Sequence, residues 1–460
     1  MTLHRRGRLT RRAFLNLVML AAAFAVNRRS SAAAQALSGE SVIVIGAGLA
    51  GLAAARDLQD QGAEVMVLEA KDHIGGRLRT DWSLGAPFEL GAGWIHGPIG
   101  NPISALADQV GATTFVTDDD SLSVFAGDGK AASDGDLTRL DSRYEALLEA
   151  IDEEVEASAD MSLAAAIRQV DPGAMRDPLM AWALAAFTEF DTGGPLEALS
   201  AYYFDEDDAF DGADVVVTTG YDKILAPLAK DLDIRLGSPV SAVAYDEDDG
   251  VAVTAGGQRF EADYAVCTLP LGVLKSGAVR FDPALPSAHR GAIEAIPFGN
   301  VTKAALKFPR AFWPTDVQYF GYQSAEKGKW PYFMSYRTFA AQNILVGLSV
   351  GAYAGKVEQR DDATITAEIM VILRTMFGPD IPEPEELIVT RWSRDPYSRG
   401  AYSFTGVDVT PDHYDRLAEP VEDRLVFAGE HTVFDHHATT HGALESGRAA
   451  AEAVVELVED

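Results

Sequence analysis

The sequence predicts an α/β fold, α+β overall, in which a parallel sheet wound by helices is interleaved with a second unit, a mixed sheet flanked by helices. Three observations lead there. Residues 41 to 69 read strand, glycine turn, helix, strand and terminal acid in that order. Segments of strand character, TKAALKF, YFMSY and ILVGLSVG among them, return late in the chain, beyond an Ala-, Leu- and Glu-rich stretch of helical character. With 460 residues, 47% of them hydrophobic, the chain can bury a large core and is long enough for two domains.

Ser41–Ile45 is a short apolar run rich in β-branched residues, as expected of a strand buried on both faces. Gly46, Gly48 and Gly51 follow at once. In a dinucleotide-binding turn the first glycine makes the tight bend, the second lets backbone approach a pyrophosphate, and the third permits close helix packing. The helix expected over about 49 to 61 presents its N-terminal N–H groups and positive dipole end to that phosphate. The second strand ends in Glu69, whose carboxylate suits the two hydroxyls of a ribose. Together these features define a Rossmann-like dinucleotide cradle rather than an ordinary glycine-rich turn.

Just past the acid, KDHIGGR (71 to 77) places a glycine pair ending in Gly76 next to the cation Arg77, a second backbone approach with a charge for phosphate. Here the chain resembles the flavin-dependent amine oxidases, whose FAD site carries LEA, a short spacer and GGR in this order. The resemblance continues through FELGAGWIHGPIGNPI (88 to 103), FGNVTKAALKF (298 to 308), DPYSRGAYSF (395 to 404), FAGEHT (427 to 432) and ATTHGALESGRAA (438 to 450). Within that family, WIHG and TTHGA are most similar to the polyamine oxidase branch, which includes spermine oxidases and is akin to the lysine-specific histone demethylases. The resemblance implies a discontinuous FAD-binding domain at 37–103, 215–297 and 400–460, and a substrate-binding domain at 104–214 and 298–399. It also implies FAD contacts at Gly93 and Trp94, at Val240 beside the adenine, and at Glu430 near the ribityl or pyrophosphate region.

Between these motifs, residues 104 to 200 hold helical stretches such as 144 to 157 and no long β-branched run, so helices over the substrate side are expected. VVVTTGY then leads a helix, IRLGSPVSAVAYDEDDGVAVTA reads as a hairpin and YAVCTLPL as a buried strand. The runs DDD (118 to 120) and DEDD (205 to 208) mark solvated loops.

The formal charge of −31 argues against a nucleic-acid partner, whose phosphates it would repel, and suits cationic small molecules, although solubility alone also accounts for it. The first 36 residues read as a twin-arginine signal: Arg11 and Arg12 precede an apolar stretch too short to span a bilayer comfortably, and AAAQA follows. This segment has seven arginines and no acid, so its removal would take the charge to −38. Export would be periplasmic or secretory, through the twin-arginine machinery, which carries folded cargo already loaded with cofactor; the alternative is a retained anchor helix. Cys267 is the only cysteine, so no intrachain disulfide can form.

Lys303 alternates with small and apolar residues in NVTKAALKF and projects from one face of an expected strand, where a lysine needs a reason. In the resembling family this lysine bonds a water at flavin N5 and assists reoxidation; the alternative is a surface lysine on an open sheet face. Tyr402, in RGAYSF, matches one ring of the aromatic cage that holds the amine in monoamine oxidases, whereas Thr439 stands where the second ring would be. The resemblance thus leaves the cage half built, as in the spermine oxidase and demethylase branch. Ala401 occupies the position of the flavin-linking cysteine in covalent members, which implies non-covalent FAD. Trp392 is a candidate for packing near the isoalloxazine ring, or simply core.

His96, in WIHG, matches the polyamine oxidase histidine that faces the distal nitrogen of a long substrate. Glu189 and Asp191, in FTEFDTGG, are candidate carboxylates for the same purpose, or ordinary helix-end acids. His431, His436, His437 and His441 raise the possibility of a metal, but no carboxylate or cysteine completes a ligand set and no metal is expected. Gly442 and Ala443 should open a helix from Leu444 to about Val458, its N-terminus favouring negative charge near the flavin. The expected activity is FAD-dependent oxidation of amines, polyamines above all, with oxygen as acceptor and hydrogen peroxide as product. A monoamine, alkaloid or amino-acid oxidase of the same family, and a flavoprotein that only transfers electrons, are the alternatives.

Overall fold

The computed structural model describes residues 36–157 and 159–459. The expected export segment, apart from Ala36, lies outside the described residues. Ser41–Ile45 forms the middle of a five-stranded sheet whose order is Leu425–Phe427, Tyr264–Cys267, Ser41–Ile45, Glu64–Leu68 and Asp233–Arg235. Every pairing in it is parallel. Parallel strands covered on both faces have no wet side, so they read as unbroken apolar runs, as YAVC does with all four residues buried.

Helix Leu49–Asp60 covers one face through Leu52, Ala53, Ala54, Ala55 and Leu58. The C-terminal helix Thr440–Glu459 lies against it. The small residues are what permit this approach: a Cβ on Gly447 would stand 2.2 Å from the Ala50 carbonyl oxygen. Leu444, Ala450, Ala451 and Val454 complete a core shared with the first helix. This last helix begins four residues earlier than the sequence suggests, because the Thr439 hydroxyl accepts the Gly442 N–H at 2.9 Å and caps it.

The expected hairpin forms from Val240–Asp246 and Gly250–Ala255, within a four-stranded sheet completed by Gln258–Ala262 and Arg280–Asp282. A six-stranded mixed sheet runs in the order Glu386–Val389, Thr302–Lys307, Ile344–Ser349, Tyr332–Ser335, Tyr319–Tyr322 and Leu122–Phe125. It contains all three strands expected in the second half of the chain. Its edge corrects one expectation: residues 104 to 200 are not purely helical. Leu122–Phe125 pairs in parallel with Tyr319–Tyr322, and Thr114–Val116 pairs with Val215–Val217 in a small three-stranded sheet that also holds Trp94–Ile95. The remainder is helical as expected, led by Asp134–Ala157. Among the described residues no helix is long and apolar enough to cross a membrane.

Candidate active site

The turn after the first strand has the geometry its glycines predict. Gly46 has φ +106°, and a Cβ there would meet Thr268 Oγ1 at 2.6 Å. On Gly51 a Cβ would stand 2.0 Å from the Gly46 carbonyl oxygen, whereas on Gly48 it would meet nothing within 4 Å. The first and third glycines are therefore demanded by packing, and the second faces open space beside the helix N-terminus. No side chain caps that terminus, so its N–H groups are left for a ligand. Gly76 lies opposite, its Cβ position 3.6 Å from Gly48 Cα, so two glycine loops face each other.

Glu69 is 6% exposed and accepts from the Ala47 N–H at 2.7 Å and the Lys71 N–H at 2.8 Å. These bonds orient its carboxylate and retain acceptor capacity for ribose hydroxyls. The segment leading to Val240 is tied to the same place, because Gly237 N–H donates to the Lys71 carbonyl and Ser238 N–H to that of Glu69, at 2.8 and 2.7 Å. Val240 itself is half-buried, at an irregularity in its strand pairing.

Arg77 Nη1 donates to Glu430 Oε1 at 2.7 Å and to the Ala401 carbonyl at 2.9 Å. The other Glu430 oxygen accepts from Ser403 Oγ at 2.6 Å, Ser403 N–H at 3.2 Å and Ala438 N–H at 3.1 Å. Burial alone would raise this carboxyl, but the Arg77 guanidinium, His431 and the Ser403 hydroxyl hold it down at about 2. One ionised carboxylate thus pins three of the sequence motifs together: GGR, GAYSF and the start of ATTHGA. Ala443 sits in the first turn of the last helix, its N–H on the Thr439 carbonyl at 3.1 Å. The Thr439 hydroxyl also donates to the His436 carbonyl at 2.8 Å.

Lys303 is 8% exposed, which removes the surface-lysine alternative. Its ammonium donates to the carbonyls of Glu89 and Gly91 at 3.1 and 2.6 Å and lies 5.4 Å from the Trp94 ring centroid. A Cβ on Gly93 would come within 3.3 Å of Nζ. Burial lowers the Lys303 pKa to about 8 against the opposing pull of Glu89. Trp392 buttresses the same loop, its Nε1 on the Leu90 carbonyl at 2.9 Å and its ring edge 3.3 Å from the Gly91 Cβ position. Tyr402 donates its hydroxyl to the Phe190 carbonyl at 2.9 Å and packs its ring on Gly193.

The chain matches the model of flavin containing amine oxidoreductases over residues 49–455. It belongs to that family. Among its relatives, a probable polyamine oxidase 4 of Arabidopsis thaliana is 34% identical, over 90% of this chain and 86% of that one. Polyamine oxidase 2 of the same plant is 33% identical over 90% and 87%. A lysine-specific histone demethylase 1 homolog 3 from Oryza sativa subsp. japonica is 35% identical over 88% of this chain but only 53% of its own length. A redesigned putrescine oxidase variant has the same fold, with a TM-score of 0.74 and 21% identity over 91% of this chain and 99% of that one.

A flavin cofactor follows from membership of the flavin containing amine oxidoreductases. The residues present fit a dinucleotide form of it, since the two facing glycine loops, the uncapped helix end and Glu69 leave backbone donors and an acceptor where phosphates and a ribose would lie.

Glu189 is 0% exposed and lies in a π-helical turn, 2.8 Å from Lys327. Burial raises its pKa against the pull of Lys327, which lies in the turn between Tyr319–Tyr322 and Tyr332–Ser335, and its Oε1 also accepts the Leu196 N–H at 2.9 Å. His96 is exposed at the surface, Nδ1 to Asp214 Oδ2 at 2.6 Å, and the other Asp214 oxygen accepts the Gly97 N–H at 3.0 Å. Asp214 was not singled out from sequence, although an acid immediately before the apolar VVV run is a usable signal. Glu89, an acid amid apolar residues in FEL, carries the same signal. His436 and His441 stack edge-on at 4.8 Å, and among the described residues no group of His, Cys, Asp or Glu is placed to hold a metal.

Proposed function

We propose that this chain is an FAD-dependent amine oxidase that acts on polyamines and uses oxygen as acceptor, with FAD held non-covalently. Bound FAD would supply the hydride acceptor and, on reoxidation, yield hydrogen peroxide; the products from the amine are an aldehyde and a shorter amine. The observation that carries the reading is Lys303, a lysine buried between the Glu89 and Gly91 carbonyls beside Gly93 and Trp94. Two backbone acceptors fix the ammonium and leave one of its three donors for a water or reacting group.

Arg77 and Glu430 give the opposite side of the site a fixed charge pair, and Ala401 offers only a carbonyl there, with no thiol to bond the ring. Trp94 and Tyr402 supply flat apolar walls that exclude water from a bound amine. Polyamines are favoured by His96 with Asp214, an imidazole–carboxylate pair on the exposed side, and by relatives named as polyamine oxidases along nine-tenths of the chain. Such a pair contacts the far nitrogen of a long substrate and has nothing to bind on a short one. The same reading makes 1 to 36 an export signal and the mature enzyme periplasmic or secreted.

A peroxide assay over putrescine, spermidine, spermine, acetylated polyamines, tyramine and amino acids tests this. Peroxide from the long polyamines is the expected result. A preference for tyramine or for an amino acid would move the assignment to another substrate class, and no peroxide from any of them would leave only an electron-transfer flavoprotein.

A further inference from the structure

Glu89 is a buried acid that the proposed chemistry does not use. It lies in the two-residue strand Phe88–Glu89, is 7% exposed, and accepts from Thr80 Oγ1 at 3.0 and 2.8 Å and from the Tyr221 N–H at 2.9 Å. Its own carbonyl holds the Lys303 ammonium, and both residues line one small cavity with Gly93, Trp94 and Tyr336. That cavity has a volume of about 30 Å³, room for one or two waters. We propose that Glu89 is a positioning residue that sets the protonation state of Lys303, and with it the pH at which the reduced enzyme reacts with oxygen. The inference rests on the role given to Lys303 under Proposed function.

An ionised carboxylate is costly to bury, and anchoring Thr80 and Tyr221 would need no charge, since a glutamine fits the same space and also accepts hydrogen bonds. What the charge adds is its action on its neighbours. The charged and titratable groups that face Glu89 are Lys303, Asp222, Tyr221 and Tyr336, and Lys303 is the one cation among them. Burial raises the Glu89 pKa to about 7, and the carboxylate, once ionised, opposes loss of the Lys303 proton. Without Glu89 the ammonium would be surrendered at lower pH.

The test is the rate of flavin reoxidation against pH in the pre-reduced holoenzyme, for wild type, Glu89→Gln, Lys303→Met and the double variant. Removing the negative charge disfavours the ammonium, so the basic limb in Glu89→Gln should move down by about one pH unit. That shift should vanish in the double variant, and a structural role for Glu89 would not produce it. An unmoved limb in Glu89→Gln, with Lys303→Met removing the limb, overturns the proposal and leaves the Lys303 reading intact. If Lys303→Met keeps the wild-type profile, the Lys303 reading fails and the inference with it. Should Glu89→Gln not retain flavin, Glu89→Asp withdraws the charge by one methylene and should shift the limb in the same direction by less; no shift there overturns the proposal equally.

Discussion

Replacing Glu430 by glutamine perturbs the one carboxylate on which GGR, GAYSF and ATTHGA converge. Its pKa in the fold is about 2 against an ordinary value of 4.5. At about 1.36 kcal/mol per pH unit, that difference corresponds to roughly 3 kcal/mol of stability carried by the ionised form. The folded pKa is the lower one, so this stability is present above pH 4.5 and is lost as pH falls through 4.5 toward 2. Breaking a buried pair by removing one partner costs about 3 to 5 kcal/mol, so the two estimates agree. With an unfolding entropy of about 2.1 cal/mol/K per residue over 460 residues, Glu430→Gln should lower the Tm by about 3 to 4 °C at pH 7. The gap should shrink to roughly half or less by pH 3 and close only as the pH approaches 2, because wild type loses there the contribution that the variant never had. Differential scanning calorimetry of both proteins from pH 7 to 3 reads this directly. A variant that tracks wild type at every pH would refute the assignment of Glu430 as an ionised carboxylate paired with Arg77.

Other expectations follow from the same geometry. Glu69→Ala removes the ribose acceptor and with it the bonds to the Ala47 and Lys71 N–H groups, so FAD affinity measured by fluorescence titration should fall by at least roughly 1.5 to 3 kcal/mol; unchanged affinity would place the ribose elsewhere. Acid or heat should release free FAD, and yellow colour left on the denatured chain would contradict non-covalent binding. His96→Ala should cut kcat/KM for spermidine or spermine by about 1 to 3 kcal/mol and hardly alter a short monoamine; equal losses on both would mean that His96 serves the fold or the flavin. Changing Arg11 and Arg12 to lysine should retain the holoenzyme in the cytoplasm, and exported wild type should lack about 34 to 36 residues; an intact N-terminus on exported protein sinks the cleavage claim.

The cradle was legible because its chemistry is local: Gly46 and Gly51 are demanded by atoms a few residues away, and the Val, Ile and Leu runs of a parallel sheet look the same in any context. The strand carrying Lys303 was legible by its alternation, and its burial followed only from the fold, since both faces of that sheet are covered. What stayed hidden depends on distant partners. Leu122–Phe125 is a strand because Tyr319–Tyr322 is there to pair with it, and nothing within four residues signals that. Glu189 read as a candidate substrate carboxylate because Lys327, which satisfies it, lies far along the chain. Glu89 and Asp214 each stand out as an acid beside an apolar run, but what each does is settled only by its neighbours Lys303 and His96, which lie far along the chain. The early start of the last helix was readable in principle from Thr439, a residue type that caps helices.

The central claim, oxidation of polyamines at a flavin served by Lys303, is tested most directly by mixing the holoenzyme anaerobically with spermine or spermidine in a stopped-flow spectrometer and then admitting oxygen. The account predicts that the flavin absorbance bleaches with the long polyamine and returns on oxygenation, and that Lys303→Met slows the return far more than the bleaching. A flavin that stays oxidised with every amine would contradict the claim, and a Lys303→Met enzyme that reoxidises at the wild-type rate would remove the lysine from it.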